Sequence, residues 1–133
     1  IAGMDVPDLN YEVMPRATYC HPQVTSYGLT EKQAVDQGYQ VKVGKFPFQA
    51  SGKALAIADS EGMVKIVADG ASGELLGAHM IGPEVTEMLG ELSLARSLEG
   101  TNREIGQLVH SHPTLSETLK EAALAVDGEA IHI

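Results

Sequence analysis

Residues 63–81 place the tightest limit on what this chain can fold into. Two apolar runs, 63–68 and 74–81, are separated by Asp69-Gly70-Ala71-Ser72-Gly73. The glycines supply the positive φ angles that a bulged hairpin turn needs, so the runs predict neighbouring antiparallel strands. A phosphate-loop reading of Gly70, Gly73 and Gly77 fails on spacing and charge. No Gly-Lys-Ser/Thr follows, and Asp69 and Glu74 would repel the anion. His79, within the second run, reads as a hydrogen-bonded histidine of the core or its edge. A hairpin must bury one face, and 133 residues suffice to cover it within a single domain.

The flanking segments supply more of the sheet. Residues 13–19 and 23–27 predict strands, with a turn at His21-Pro22 between them. Cys20 and His21 are chain neighbours and would point to opposite faces, which argues against a nucleophile and its base. Cys20 is expected as a small buried side chain. Thr30-Glu31-Lys32-Gln33 is a capping box opening a short helix that Gly38 can close. Residues 39–43 alternate like a half-buried strand. Phe46 and Phe48, on either side of Pro47, can anchor a core or an interface, and residues 51–58 suggest a short helical turn.

The second half reads as helical. Pro83 suits a first helical position, and residues 84–99 form the longest helix. Val85, Met88, Leu89 and Leu92 make its core stripe, while Glu84, Glu87 and Glu91 make an acidic one. Leu94 and Leu98 project among the acids, so the helix has a second face to bury. Either another subunit covers that face, or the helix is sandwiched between the sheet and the C-terminal segment. Gly90 costs about 1 kcal/mol relative to alanine in a helix and would permit close backbone approach. Thr101-Asn102-Arg103-Glu104 is a further capping box, expected to turn Ile105, Leu108 and Val109 inward. A last helix runs to about Val126 with Leu115, Leu119 and Ala122 on one face, stopped by Asp127-Gly128. His132, in the tail, is expected to be exposed. The order of strands, helix, strands, helix and helix predicts an α+β domain with an antiparallel sheet and helices mainly on one face.

Chemistry concentrates in His110-Ser111-His112-Pro113-Thr114-Leu115-Ser116-Glu117. A carboxylate bonded to one imidazole nitrogen fixes the tautomer and favours the imidazolium that forms when the other nitrogen takes a proton. His112 and Glu117 are five residues apart, so they meet only if the chain bends between them, and Pro113 suits a bend. Thr114-Leu115-Ser116-Glu117 equally fits a capping box in which Glu117 merely returns to the backbone. A metal site using His110 and His112, with His132 as a further ligand, is the third reading. Local chemistry leaves all three open.

Composition narrows the partners. Eighteen acidic and nine basic residues give a net charge of −9, and the basic residues are scattered. That excludes a nucleic-acid backbone footprint and would suit a basic protein partner. No apolar run approaches the roughly 18–20 residues that span a membrane, so no membrane partner is expected. Ile1-Ala2-Gly3-Met4 is too short for a signal peptide and lacks a basic leader. The single Cys20 excludes an internal disulfide and points to a reducing compartment, with a cytoplasmic location expected.

The octapeptide His110–Glu117 resembles the C-terminal signature of the dihydrolipoamide dehydrogenase branch of the flavin-dependent pyridine nucleotide–disulfide oxidoreductases. Tyr27-Gly28-Leu29-Thr30-Glu31-Lys32-Gln33-Ala34, Lys45-Phe46-Pro47-Phe48-Gln49-Ala50 and Glu74-Leu75-Leu76-Gly77-Ala78-His79-Met80-Ile81-Gly82-Pro83 are similar to further blocks of its interface domain, in the same order. The resemblance implies about five strands and a symmetric homodimer, with residues 13–133 as the interface domain. Residues 1–12 would be a linker and, at 1–3, the tail of a preceding domain's last helix. It implies that His112 is a base oriented by Glu117 and follows a cis bond to Pro113. His112 and Pro113 would face the flavin and disulfide of the other subunit, in the mitochondrial matrix if the source is eukaryotic. FAD and NAD would belong to domains missing here, since the chain has neither a redox cysteine pair nor a glycine-rich dinucleotide fingerprint. No cofactor is expected on this segment alone, which is expected to be inactive by itself. Two alternatives accompany this reading. One is a non-catalytic dimerisation and docking module for the basic peripheral subunit-binding domain of a 2-oxoacid dehydrogenase acyltransferase. The other is the interface domain of a related disulfide reductase.

Overall fold

The hairpin forms as its glycines require. In the computed structural model, which describes residues 3–6 and 8–133, β4 (Met63–Asp69) and β5 (Leu75–Gly82) pair antiparallel. Asp69 Oδ2 closes their turn by accepting the Ser72 N–H at 3.1 Å and the Ser72 hydroxyl at 2.8 Å, and Gly73 takes φ +81°. With β1 (Arg16–Thr18), β2 (Gln23–Gly28) and β3 (Val41–Pro47) they make one five-stranded antiparallel sheet in the order β1-β2-β5-β4-β3. The α+β architecture expected from the order of elements is the one observed.

Among the described residues, five α-helices accompany the sheet: α1 (Glu31–Asp36), α2 (Gly52–Ala56), α3 (Val85–Ser97), α4 (Asn102–Gln107) and α5 (Glu117–Ala125). The main core lies on one face, where Tyr27, Phe46, Val64, Ile66, Ala78 and Met80 of the strands meet Val85, Met88, Leu89 and Leu92 of α3 and Leu119, Ala122 and Ala123 of α5. Val67 alternates with Ile66 along β4 and so faces the other side, where with Leu76 it packs against Ala34 of α1. Helices therefore cover mainly one face. Among the described residues, no helix is long and apolar enough to cross a membrane.

Several boundaries differ from the sequence reading, each for a local reason. Residues 11–13 form a 3₁₀ turn capped by Asn10, which leaves β1 as a three-residue, fully exposed edge strand. Cys20 follows it into the turn and is exposed, not buried, because no element covers that edge. Tyr39 lies in the closure of α1 and not in the strand. Gly38 adopts φ +88° and the Tyr39 N–H donates to the Ala34 carbonyl at 3.1 Å, so β3 starts later and runs on through Phe46. Pro83 precedes the cap of α3 and is not its first residue. The cap is Glu84 at φ +51°, and Gln23 Oε1 of β2 accepts the Thr86 N–H at 3.2 Å, so the sheet satisfies that helix end.

Leu108 and Val109 turn outward, 47% and 87% exposed, because the backbone becomes extended as α4 ends. Leu94 and Leu98 are 60% and 72% exposed, so the C-terminal segment does not sandwich the second face of α3. A Cβ added at Gly90, on that face, would meet no neighbouring element within 4 Å, so this glycine serves no close approach within the chain. Residues 1 and 2 of the expected tail, and Pro7 of the expected linker, lie outside the described residues.

One contact fixes the position of α5. A Cβ on Gly44 of β3 would sit 1.9 Å from the Ala122 carbonyl oxygen and 2.6 Å from the Val126 nitrogen. Helix and strand thus touch backbone to backbone, and both obstructing atoms are main chain. Gly44→Ala should destabilise the domain by about 1–3 kcal/mol, the range for overpacking a core, read as a lower thermal unfolding midpoint. An unchanged midpoint would show that α5 can slide freely on the sheet.

Candidate functional site

The segment between α4 and α5 carries the expected site. A capping box starts α4: the Thr101 N–H donates to Glu104 Oε2 at 2.7 Å, and Thr101 Oγ1 accepts the Arg103 N–H at 3.2 Å. The chain then leaves as an extended segment, passes a cis His112–Pro113 peptide, and enters α5 at Glu117. His112 Nδ1 lies 2.9 Å from Glu117 Oε1, while Glu117 Oε2 accepts the Thr114 N–H at 2.9 Å. One carboxylate therefore holds the ring with one oxygen and the backbone with the other. The rival readings of Glu117 as ring partner and as backbone cap describe its two halves. The box is incomplete in one respect, since the Thr114 hydroxyl donates back to the Ser111 carbonyl at 2.7 Å.

Electrostatics follow from these contacts. Burial alone would raise the pKa of Glu117, but the Thr114 amide and the His112 ring outweigh it and hold the carboxyl below its ordinary value of 4.5. The Glu117 carboxylate favours the tautomer that carries a proton on Nδ1. The His112 side chain is 79% exposed, so the part of the ring away from Glu117 is open to solvent.

His110, His132 and Glu121 line the same cleft, together with Phe46, Ser51, Val109 and Lys120, and each of the two rings meets a glutamate. His110 Nε2 lies 2.8 Å from Glu91 Oε1 of α3, and its side chain is only 5% exposed, with Nδ1 buried and unpartnered. His132 Nδ1 lies 2.8 Å from Glu121 Oε1. His132 is exposed as expected, but its backbone and ring are both anchored. The Glu91–His110 pair joins two elements 19 residues apart, and no local spacing signals it. Glu121 could have been noticed, because it lies four residues after Glu117 and so on the same face of α5. The three rings go to three different carboxylates. Among the described residues, no group of three or more His, Cys, Asp or Glu is placed to hold a metal ion. His79 is satisfied as expected, its Nε2 lying 3.0 Å from the Leu29 carbonyl.

His112 and Pro113 form an exposed edge that no element of this chain covers, which fits the flavin implied by the resemblance, approached from outside the domain. The two residues would reach it only as a rim completed by another part of an assembly.

Comparison with known proteins agrees with this architecture. Residues 14–123 match the family model described as the pyridine nucleotide-disulphide oxidoreductase dimerisation domain. The chain is 52% identical over 131 residues to the dihydrolipoyl dehydrogenase of Bacillus subtilis, covering 98% of this chain and 28% of that protein. It is 53% identical over 133 residues to that of Zymomonas mobilis, covering 99% and 28% respectively. It thus spans little more than a quarter of these relatives. Among solved structures, LpdA from Mycobacterium tuberculosis superposes with a TM-score of 0.82 at 20% identity, covering 91% of this chain and 26% of that one. The flavoprotein disulfide reductase RclA from Escherichia coli gives 0.81 at 23% identity, covering 84% and 26%, and at such identities the likeness speaks for the fold. The chain belongs to the pyridine nucleotide–disulphide oxidoreductase family, of which it is a dimerisation domain.

Proposed function

We propose that this chain is the interface domain of a dihydrolipoamide dehydrogenase, and that His112 is the base and Glu117 the carboxylate that orients it. The observation carrying this reading is the 2.9 Å contact between His112 Nδ1 and Glu117 Oε1, with the rest of the ring open to solvent. In the full enzyme, Nε2 of His112 takes the proton of a dihydrolipoyl thiol as its sulfur attacks a redox disulfide. Glu117 stabilises the imidazolium that results, and its second bond, to Thr114, keeps it from swinging away. FAD, held with NAD by other domains, supplies the onward electron transfer when bound. A homodimer brings His112 and Pro113 to the partner subunit's redox centre. Gly90, Leu94 and Leu98, one helical turn apart on the open face of α3, offer apolar surface for a second copy. Residues 1–12 then connect this domain to the one before it.

A second reading, as a docking surface for a basic subunit-binding domain of an acyltransferase, draws on the net charge of −9. Titration of the full-length dimer with such a domain should show binding that weakens steeply with salt. The absence of binding at low salt would end this reading.

His112→Gln in the full-length enzyme should lower kcat for dihydrolipoamide by about 10²- to 10⁴-fold, the usual contribution of a positioned base. Wild-type turnover would refute the assignment. This chain alone should form no NADH from dihydrolipoamide and NAD. The Glu117 pKa is lower folded than unfolded, so its stabilisation is complete above the ordinary value of 4.5 and is lost as pH falls through the lower folded value. Glu117→Gln should therefore reduce the fall in unfolding midpoint between about pH 5 and pH 3. An undiminished fall would show that other carboxylates govern acid stability.

A further inference from the structure

The cleft beside His112 holds a second imidazole–carboxylate pair built like the first. Glu117 and Glu121 lie four residues apart on α5, so they share a face about one turn apart. Each presents Oε1 to the Nδ1 of a histidine, at 2.9 Å for His112 and 2.8 Å for His132. Each uses its other oxygen on main chain: Glu117 on the Thr114 N–H, and Glu121 on the N–H groups of Ile131 and His132 at 2.8 and 3.2 Å. Both rings are mostly exposed, 79% and 65%, so both leave Nε2 open on the same cleft. The two pairs differ in depth. Glu121 is only 4% exposed, which makes it the firmer anchor, and it folds the C-terminal tail back over α5.

We propose that His132, oriented by Glu121, is a second proton-accepting ring of the same site, working beside His112 during dithiol oxidation. This rests on the reading of His112 as the base for a dihydrolipoyl dithiol. Converting that dithiol to its disulfide forms one S–S bond, breaks two S–H bonds, and releases two electrons and two protons. The electrons reduce the enzyme's redox disulfide, whose S–S bond breaks to two thiolates. The two protons need places to go. His112 Nε2 takes one from the attacking thiol. His132 Nε2 takes the other, or relieves His112 and passes its proton to solvent. The charged and titratable groups facing this step are Glu117, Lys120 and Glu121 from α5, and His110 and His112 from the preceding segment.

The test uses the full-length enzyme. His132→Asn keeps an N–H donor for Glu121, and so keeps the tail in place, but cannot accept a proton. Its pre-steady-state rate of reduction by dihydrolipoamide should fall about 3- to 10-fold near neutral pH, less than the effect of losing the principal base. KM should change little, and added imidazole should restore the rate by carrying the proton instead. A wild-type rate in His132→Asn, with His112→Gln strongly impaired, would overturn the second ring and leave the first intact. A reduced rate that imidazole does not restore, together with a lower unfolding midpoint, would overturn it too, as the mark of a ring that only orders the tail. Full activity in His112→Gln would instead remove the reading on which the proposal rests.

Discussion

Helix α5 reaches the sheet through a position that has no side chain. Any Cβ at Gly44 would collide with main-chain atoms of Ala122 and Val126, so helix and strand are in direct backbone contact. Leu119, Ala122 and Ala123 complete the seat against β3 and β4, and all three are fully buried. Side chains can adjust by changing rotamer, whereas two backbones in contact cannot. The orientation of α5 is therefore set by the sheet, and with it the direction in which the carboxylates of Glu117 and Glu121 point. The chemistry proposed for this domain depends on that rigidity, because an orienting carboxylate is useful only while its own position is held.

Glu117 holds the entrance to α5 and the ring of His112 with one side chain. The oxygen bound to the Thr114 amide satisfies the backbone at the entrance to α5, and the other fixes the ring of His112. Burial works against the charged form, but the hydrogen bonds outweigh it. Removing the carboxylate would disturb the helix entrance and the ring together. The same division recurs one turn along at Glu121, where the main-chain partners belong to the tail.

Two features of the domain face outward. The ring of His112 points away from the chain that supports it, and α3 leaves Leu94 and Leu98 uncovered on the face away from the core. Both features make sense for a dimerisation domain, in which a second subunit supplies what is missing. Glu91 links the two regions. It lies on α3 and bonds His110, two residues before His112, so the helix with the open apolar face also steadies the segment that carries the proposed base.

Much of this was legible in the chain. The turn chemistry of residues 69–73, the capping boxes at Thr30 and Thr101, and the apolar stripe of α3 are short-range signals that the structure reproduces. Local geometry alone satisfies the turn and the caps, and the sheet covers the stripe. The octapeptide around His112 marked where the histidine–glutamate contact forms, but its neighbours could not decide between ring partner and cap, because both contacts are short in sequence and the carboxylate has oxygens for both. What needed the tertiary structure was everything set by distant partners. Gln23 of β2 satisfies the start of α3, and Pro83 lies before its cap. The exposed edge beside β1 left Cys20 in solvent. Glu91 and Glu121 found histidines 19 and 11 residues away. A sequence determines which hydrogen bonds and apolar faces must be satisfied; only the packed chain decides which distant group satisfies them, because that choice depends on how closely two backbones can approach.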